Sequence, residues 1–171
     1  MSEGAGSDEE ILKGIIGQPT GKSTVVIERG PVSFFADAVL EQSPIYKDPG
    51  AAQAVGLANI PAPPTFAFAV ENWGKFPELQ PTDALKGSPL MTALGPLIAK
   101  GGIILHGEQE FVYHRPVVVG DVLVGEGTVV DAYQKESKGK TMTFVVSETT
   151  FVDQKSGDPV VTARFNVLHR I

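Results

Sequence analysis

The chain has no cysteine, which excludes disulfides, thiolate catalysis and any thiolate metal site. Its three histidines, His106, His114 and His169, include no pair one helical turn apart, so metal-ligand spacing is absent too. No apolar run approaches the ~18 residues that a membrane-spanning helix needs. The start, Met1 to Glu10, is small and acidic rather than basic and then apolar; it is unlike a secretory signal and reads as a solvated tail. Lys and Arg total 14 against 20 Asp and Glu, a net charge of −6, and the basic residues are scattered, so a nucleic-acid partner is not expected. Neither a Walker nor a Rossmann glycine pattern occurs. The simplest expectation is a cytoplasmic protein with no membrane segment and no metal.

What is present fits one globular domain. A length of 171 residues with 42% hydrophobic and 20% charged residues can bury a core without staples, with residues 1–10 as the tail and 11–171 as the domain. Ile15 to Pro19 reads as a helix end and turn, and Thr24 to Ile27 as a short β run. Gly30-Pro31 opens a helix whose Val32, Phe35, Ala36 and Val39 recur at spacings of three and four, giving an apolar face. A short helix, Pro49 to Val55, stops at Gly56. The stiff lead-in Ile60-Pro61-Ala62-Pro63-Pro64-Thr65 delivers Phe66 to Trp73, apolar nearly all round at first, as a buried helix is.

Residues 74–102 hold Pro77, Pro81, Pro89 and Pro96 with several glycines. They read as an inserted loop with one helical turn between Leu90 and Lys100, a lid, binding loop or dimer contact. Four strands follow: Ile103–Tyr113, Asp121–Tyr133, Thr141–Val152 and Val160–Leu168, with Gln134 to Lys140 as a hairpin loop. His106 and His114, an even count apart, are expected on the same side of a strand. Strands following one buried helix predict an α+β layer architecture, an antiparallel sheet wrapped around that helix.

The most informative stretch is Asp37-Ala38-Val39-Leu40-Glu41-Gln42-Ser43-Pro44-Ile45-Tyr46-Lys47-Asp48. It resembles the Asp-x-Asn-Pro-x-His-x-Asp signature of MaoC-like (R)-specific enoyl-CoA hydratases and 3-hydroxyacyl-thioester dehydratases. Glu41 stands at the position of the catalytic Asp, Ser43 replaces Asn and Tyr46 replaces the catalytic His, while Pro44 and Asp48 are kept. Gly50 to Gly56 followed by Ile60 to Phe66 is similar to the Ala-rich segment and Pro-Pro-Thr-Phe lead-in of the MaoC-like N-terminal dehydratase branch. His106-Gly107-Glu108-Gln109-Glu110-Phe111-Val112-Tyr113-His114-Arg115-Pro116 through Gly120-Asp121 resembles that branch's strand-turn-strand segment. The resemblance spans residues 10 to 170 and implies a hot-dog fold. No histidine stands in the Pro63-Pro64-Thr65 lead-in where active hydratases carry a His-Gly pair.

In that branch, the resemblance implies, a partner hot dog supplies the catalytic Asp and His, and this half shapes the acyl pocket. Hydration of a 2-enoyl thioester needs a base for water, an acid for Cα and donors for the developing oxyanion. Tyr46, with an ordinary pKa near ~10, is a poor base but a hydrogen-bond donor. Candidates for residual acid–base chemistry are Glu41, Tyr46 and His106, against the plainer reading of a structural remnant and a strand histidine. His114 is expected to be structural, Asp121 a turn residue, and Arg115 either a surface ion-pair residue or a contact for a CoA phosphate. Phe66, Phe68, Ala69 and Trp73 are candidates for substrate contact, the small Ala67 and Ala69 leaving room for an acyl chain; the alternative is ordinary core packing.

The function implied is pocket formation in a hydratase or dehydratase acting on a CoA or carrier-protein thioester. No metal or redox cofactor is implied. The partner is a second hot dog, as homodimer or heterodimer, joined by edge-to-edge pairing of sheets. The rivals are a self-sufficient homodimeric dehydratase using Glu41, a thioesterase, and a non-catalytic acyl-CoA-binding protein.

Overall fold

A computed structural model describes residues 7–82 and 89–171; the expected tail and the 74–102 insertion therefore lie partly outside the described residues. Helix α1 (Asp8–Ile15) begins inside the stretch read as tail. Ser7 caps it: its hydroxyl accepts from Glu10 N, and the Glu10 carboxylate accepts from Ser7 N at 2.8 Å. This reciprocal pair satisfies two of the helix's unpaired N-terminal donors, so residues 7–10 are ordered by local chemistry rather than by packing.

Strand β1 (Pro19–Val26) is followed by α2 (Arg29–Ala38), a 3₁₀ turn at Pro44–Tyr46, α3 (Pro49–Ala54) and α4 (Phe66–Trp73). A second 3₁₀ turn, Pro77–Leu79, and helix α5 (Pro89–Ile98) occupy the segment expected to hold a loop with one helical turn. Pro89 opens α5, where a missing N–H costs nothing, while Pro96 falls in its last turn and removes one i→i−4 hydrogen bond. The four long strands are β2 (Ile103–Tyr113), β3 (Val122–Ser137), β4 (Lys140–Asp153) and β5 (Pro159–Arg170). The expected loop from Gln134 is strand as far as Ser137, and the β3–β4 hairpin closes on two residues, Lys138 and Gly139, both with positive φ (51° and 71°). Two such residues match the twist of the flanking strands.

The sheet is wholly antiparallel in the order β1-β3-β4-β5-β2. One face carries the helices, in two packed groups. Val32 of α2 and Phe66, Ala67 and Val70 of α4 pack with Val25, Leu123, Phe151, Val161 and Ala163 of the strands. Leu12 and Ile15 of α1 and Leu94 and Leu97 of α5 pack on Val129 and Val145. Each large side chain removed from water in this way contributes roughly 1.5–3 kcal/mol. The α4 helix is further tied to β1 by Ser23, whose hydroxyl donates to Glu71 Oε1 at 2.6 Å.

Helix α4 is not buried all round. Phe66 is 1% exposed and Val70 2%, but Phe68 is 44% and Trp73 41% exposed. Val39, expected on the apolar face of α2, caps that helix and is exposed. Leu40 follows with φ 59°, and Glu41 N donates to Ala36 O at 2.8 Å, a left-handed helix stop made without glycine.

The two sheet edges differ. Along β1 the amide of Gln80 imitates a neighbouring strand: Thr24 N donates to its Oε1 at 3.1 Å and its Nε2 donates to Thr24 O at 2.9 Å. Val26 N donates to Gly74 O at 2.9 Å. A Cβ on Gly74 would stand 2.4 Å from Val26 O, so only glycine permits this approach. The other edge, β2, is paired by no further strand among the described residues, and it presents Ile103, Ile104, Leu105, Val112 and Tyr113 as exposed large apolar residues.

Candidate functional site

Between α5 and the sheet lies an apolar cavity of about 300 Å³. Leu94, Leu97 and Ile98 roof it. Its floor is three successive cross-strand pairs of β4 and β5: Ser147 with Phe165, Val145 with Val167, and Thr143 with His169. Ile104 and His106 of β2 complete the wall. At one end, the rings of His106 and Phe165 (4.6 Å between centroids) meet Phe68 of α4, at 5.0 and 5.4 Å. At the other, the His169 ring Nε2 lies 2.6 Å from Gly101 O. Gly102, with φ 91°, passes so close that a Cβ there would stand 2.4 Å from Arg170 O. The Gly101-Gly102 pair thus seats the chain tightly against the far end.

The polar groups that touch the cavity are few and mostly committed. Thr143 Oγ1 accepts from Gln134 Nε2 at 2.9 Å, and Ser147 Oγ donates to Phe165 O at 3.5 Å. Among the described residues, His106 and His169 are its only ionisable lining residues. No carboxylate among them lines it, so they form no acid–base pair of the kind that moves a proton between water and Cα.

The residues singled out from sequence separate into three places. His106 is at the cavity, and Phe68 touches it through the His106 and Phe165 rings. Phe66 is core, in ring contact with Phe35 (5.5 Å) and Trp73 (6.2 Å). Trp73 also meets Phe34 at 6.1 Å, and Ala69 is half-buried; neither lines the cavity. Glu41 and Tyr46 are brought near each other around the 3₁₀ turn but likewise do not reach the cavity. Burial, and then the Glu41 charge, push the Tyr46 phenol above its usual pKa, which holds it protonated. The Glu41 carboxylate accepts from Ser43 N at 2.8 Å.

His106 and His114 do not share a face. A β-bulge between His106 and Glu108 inserts Gly107 and reverses the side-chain alternation. His106 therefore looks toward the helices, while His114, one residue past the end of β2, places Nε2 3.2 Å from Thr162 Oγ1 on the opposite side. Arg115 is engaged by protein carboxylates: Nη1 donates to Asp121 Oδ2 at 2.8 Å and Nη2 to Asp153 Oδ2 at 3.0 Å. The hydrogen bond to Asp121 is the main reason its guanidinium is held above its ordinary pKa. Asp121 is more than a turn residue, since it also accepts from Val118 N at 2.9 Å. No group of three or more potential metal-ligating side chains occurs among the described residues. No helix among them is long and apolar enough to cross a membrane.

Thr143, Val145, Val167, His169 and the roof of α5 were not anticipated as site residues. The one sequence signal for them is the small or polar residues Thr143 and Ser147 on the helix-facing side of β4, where large apolar residues are the rule.

A five-stranded antiparallel sheet packed against α4, with further helices on the same face, is the architecture of a hot-dog domain. Residues 14–163 match the family described as FAS1-like, dehydratase domain region, and the chain belongs to that family. A UPF0336 protein of Saccharopolyspora erythraea is 33% identical over 144 residues, covering 84% of this chain and 81% of the relative. Among solved structures, a chain of the ChsH1-ChsH2 complex from Mycobacterium tuberculosis superposes with a TM-score of 0.72 at 18% identity, covering 94% of each chain. The HadBC (3R-hydroxyacyl-ACP dehydratase) complex of the same organism gives 0.65 at 19% identity, over 90% of this chain and 96% of that one. These two share the fold.

Proposed function

We propose that this chain is the pocket-forming subunit of an (R)-specific 2-enoyl-thioester hydratase, or 3-hydroxyacyl-thioester dehydratase, whose acid–base pair comes from a partner hot dog. The observation that carries the reading is an apolar cavity with no carboxylate among the described residues of its wall, beside a sheet edge that no described strand covers. Glu41 and Tyr46, which stand at the signature's catalytic positions, do not border that cavity. The edge itself supports a partner: β1 is blunted by Gln80 and Gly74, whereas β2 exposes five large apolar residues together with unpaired backbone groups. A second hot dog adding its strand to β2 covers these and brings its own catalytic residues toward His106.

In this reading the substrate is a CoA or carrier-protein thioester, the setting is cytoplasmic, and neither metal nor redox cofactor takes part. The names of the two structural neighbours, both complexes, favour a heterodimer over a homodimer.

The test is hydration of a series of 2-enoyl-CoA thioesters by the purified chain, alone and mixed with a hot-dog chain that carries Asp-x-Asn-Pro-x-His. Turnover by the mixture and none by either chain singly is the expected result. Robust turnover by this chain alone would overturn the assignment and favour the self-sufficient homodimer. In that event the proximity of Glu41 to Tyr46 makes them the first residues to substitute.

A further inference from the structure

We infer that the cavity under α5 is a measuring slot for one unbranched apolar chain of about ten to twelve carbons, with Val145 and Leu97 setting that length. The inference rests on the proposed function only for the thioester at the chain's head; the slot itself is a property of the packing.

Size gives the first argument. An apolar cavity of about 150 Å³ takes up benzene, so the 300 Å³ here has room for roughly twice that number of carbons. Shape gives the second. The floor consists of three cross-strand pairs, each two residues further along β4 than the last, so at about 3.3 Å of rise per residue the slot runs about 13 Å. That volume spread over that length leaves a bore of about 5 Å, close to the spacing of neighbouring strands. One extended chain fits such a bore; a fused ring system does not.

The ends give the third argument. Ile104, 52% exposed and opposite His169 in the β2–β5 ladder, marks an opening at that end, whereas the Ser147–Phe165 end carries the packed rings of Phe68, His106 and Phe165. A chain entering past Ile104 meets those rings and does not lengthen through them. Val145 lies in the middle of the floor and Leu97 in the roof, so enlarging the first shortens the slot and trimming the second adds volume for further carbons.

The experiment is calorimetric titration of the full-length chain with saturated acyl-CoA thioesters of four to sixteen carbons, and with n-decanol as a probe lacking the thioester. Affinity should rise about fourfold per added methylene and level off near ten to twelve carbons, the increment expected for burying CH₂ groups. Val145→Phe should bring the plateau to shorter chains and Leu97→Ala should move it to longer ones. Phe144→Leu, which alters the opposite face of β4, should leave the plateau where it is.

If Val145→Phe fails to fold, Leu97→Ala and the wild-type series still decide the matter. Affinity that ignores chain length, or keeps climbing through sixteen carbons, overturns the slot. The two proposals fail separately. Decanol binding and an acyl-CoA plateau without hydratase activity in the presence of a partner refute the function and leave the slot. An active complex whose chain-length preference is unmoved by both substitutions refutes the slot and leaves the function.

Discussion

The same sheet face is filled in one half and hollow in the other. Around α4, the large side chains Phe66, Ile60, Leu123 and Phe151 interdigitate, each at most 3% exposed. Under α5, leucines and valines of similar burial enclose a cavity instead. Close packing is the norm for protein interiors, so the filled half is the half that holds the fold and the hollow half is the one free to take a ligand.

The sharpest test of this division compares truncations. Phe66→Ala should cost about 3–5 kcal/mol, the range for emptying a packed aromatic site, whereas Leu97→Ala, which only enlarges an existing hollow, should fall near the low end of the Leu→Ala range, about 2 kcal/mol. Urea unfolding of both variants measures the difference, and equal costs would erase the distinction between the halves.

Next in size is the Arg115 clasp, which pins the β2–β3 connection to the β4–β5 turn through Asp121 and Asp153. Arg115→Ala should cost about 1–3 kcal/mol, because the nearly buried Asp121 carboxylate loses its charged partner. A loss below half a unit would assign the clasp to the solvated surface.

A smaller effect concerns alkaline pH. Tyr113, whose hydroxyl donates to Pro64 O, has its phenol pushed up by burial to about 12. The folded-state pKa lies above the unfolded value near ~10, so the protonated phenol's contribution is complete below ~10 and is lost as pH rises through about 12. Tyr113→Phe should flatten this part of the stability–pH curve between pH 9 and 12; a curve unchanged by the substitution would show the phenol to be free of the fold.

The smallest effect is expected at Glu41. Its carboxylate accepts one backbone N–H, and a glutamine oxygen can do the same. Glu41→Gln should therefore change stability by no more than about 0.5 kcal/mol and leave turnover of the partnered complex intact. Lost turnover would return Glu41 to the chemistry and the signature stretch to the active site.

Much of the fold was legible because its signals are local. Phe66–Trp73 was bounded by a Pro-Pro lead-in and a glycine, and Ile103–Tyr113 by Gly101-Gly102 and Arg115-Pro116; both bounds agree with the structure. Helix α5 was underread because Pro89 and Pro96 look like breakers, though Pro89 stands at the first helical position, where its missing N–H costs nothing, and Pro96 only in the last turn. The opposite facing of His106 and His114 was illegible, since nothing in the letters marks Gly107 as unpaired in a ladder. The cavity was illegible for a deeper reason. Val145, Val167 and Leu97 are ordinary core residues singly, and the space they leave exists only once three strands and a helix are brought together. The signature stretch gave no indication that it lies away from the hollow.

The Gly107 bulge carries one last implication. A strand with a bulge holds a spare residue, like slack in a belt. Losing Gly107 would restore an even ladder with His106 still turned inward, whereas losing a residue elsewhere in β2 would be absorbed only by inverting every side chain between the loss and the bulge. Of all positions on this edge strand, it is the one where the chain can shorten without changing what the strand presents.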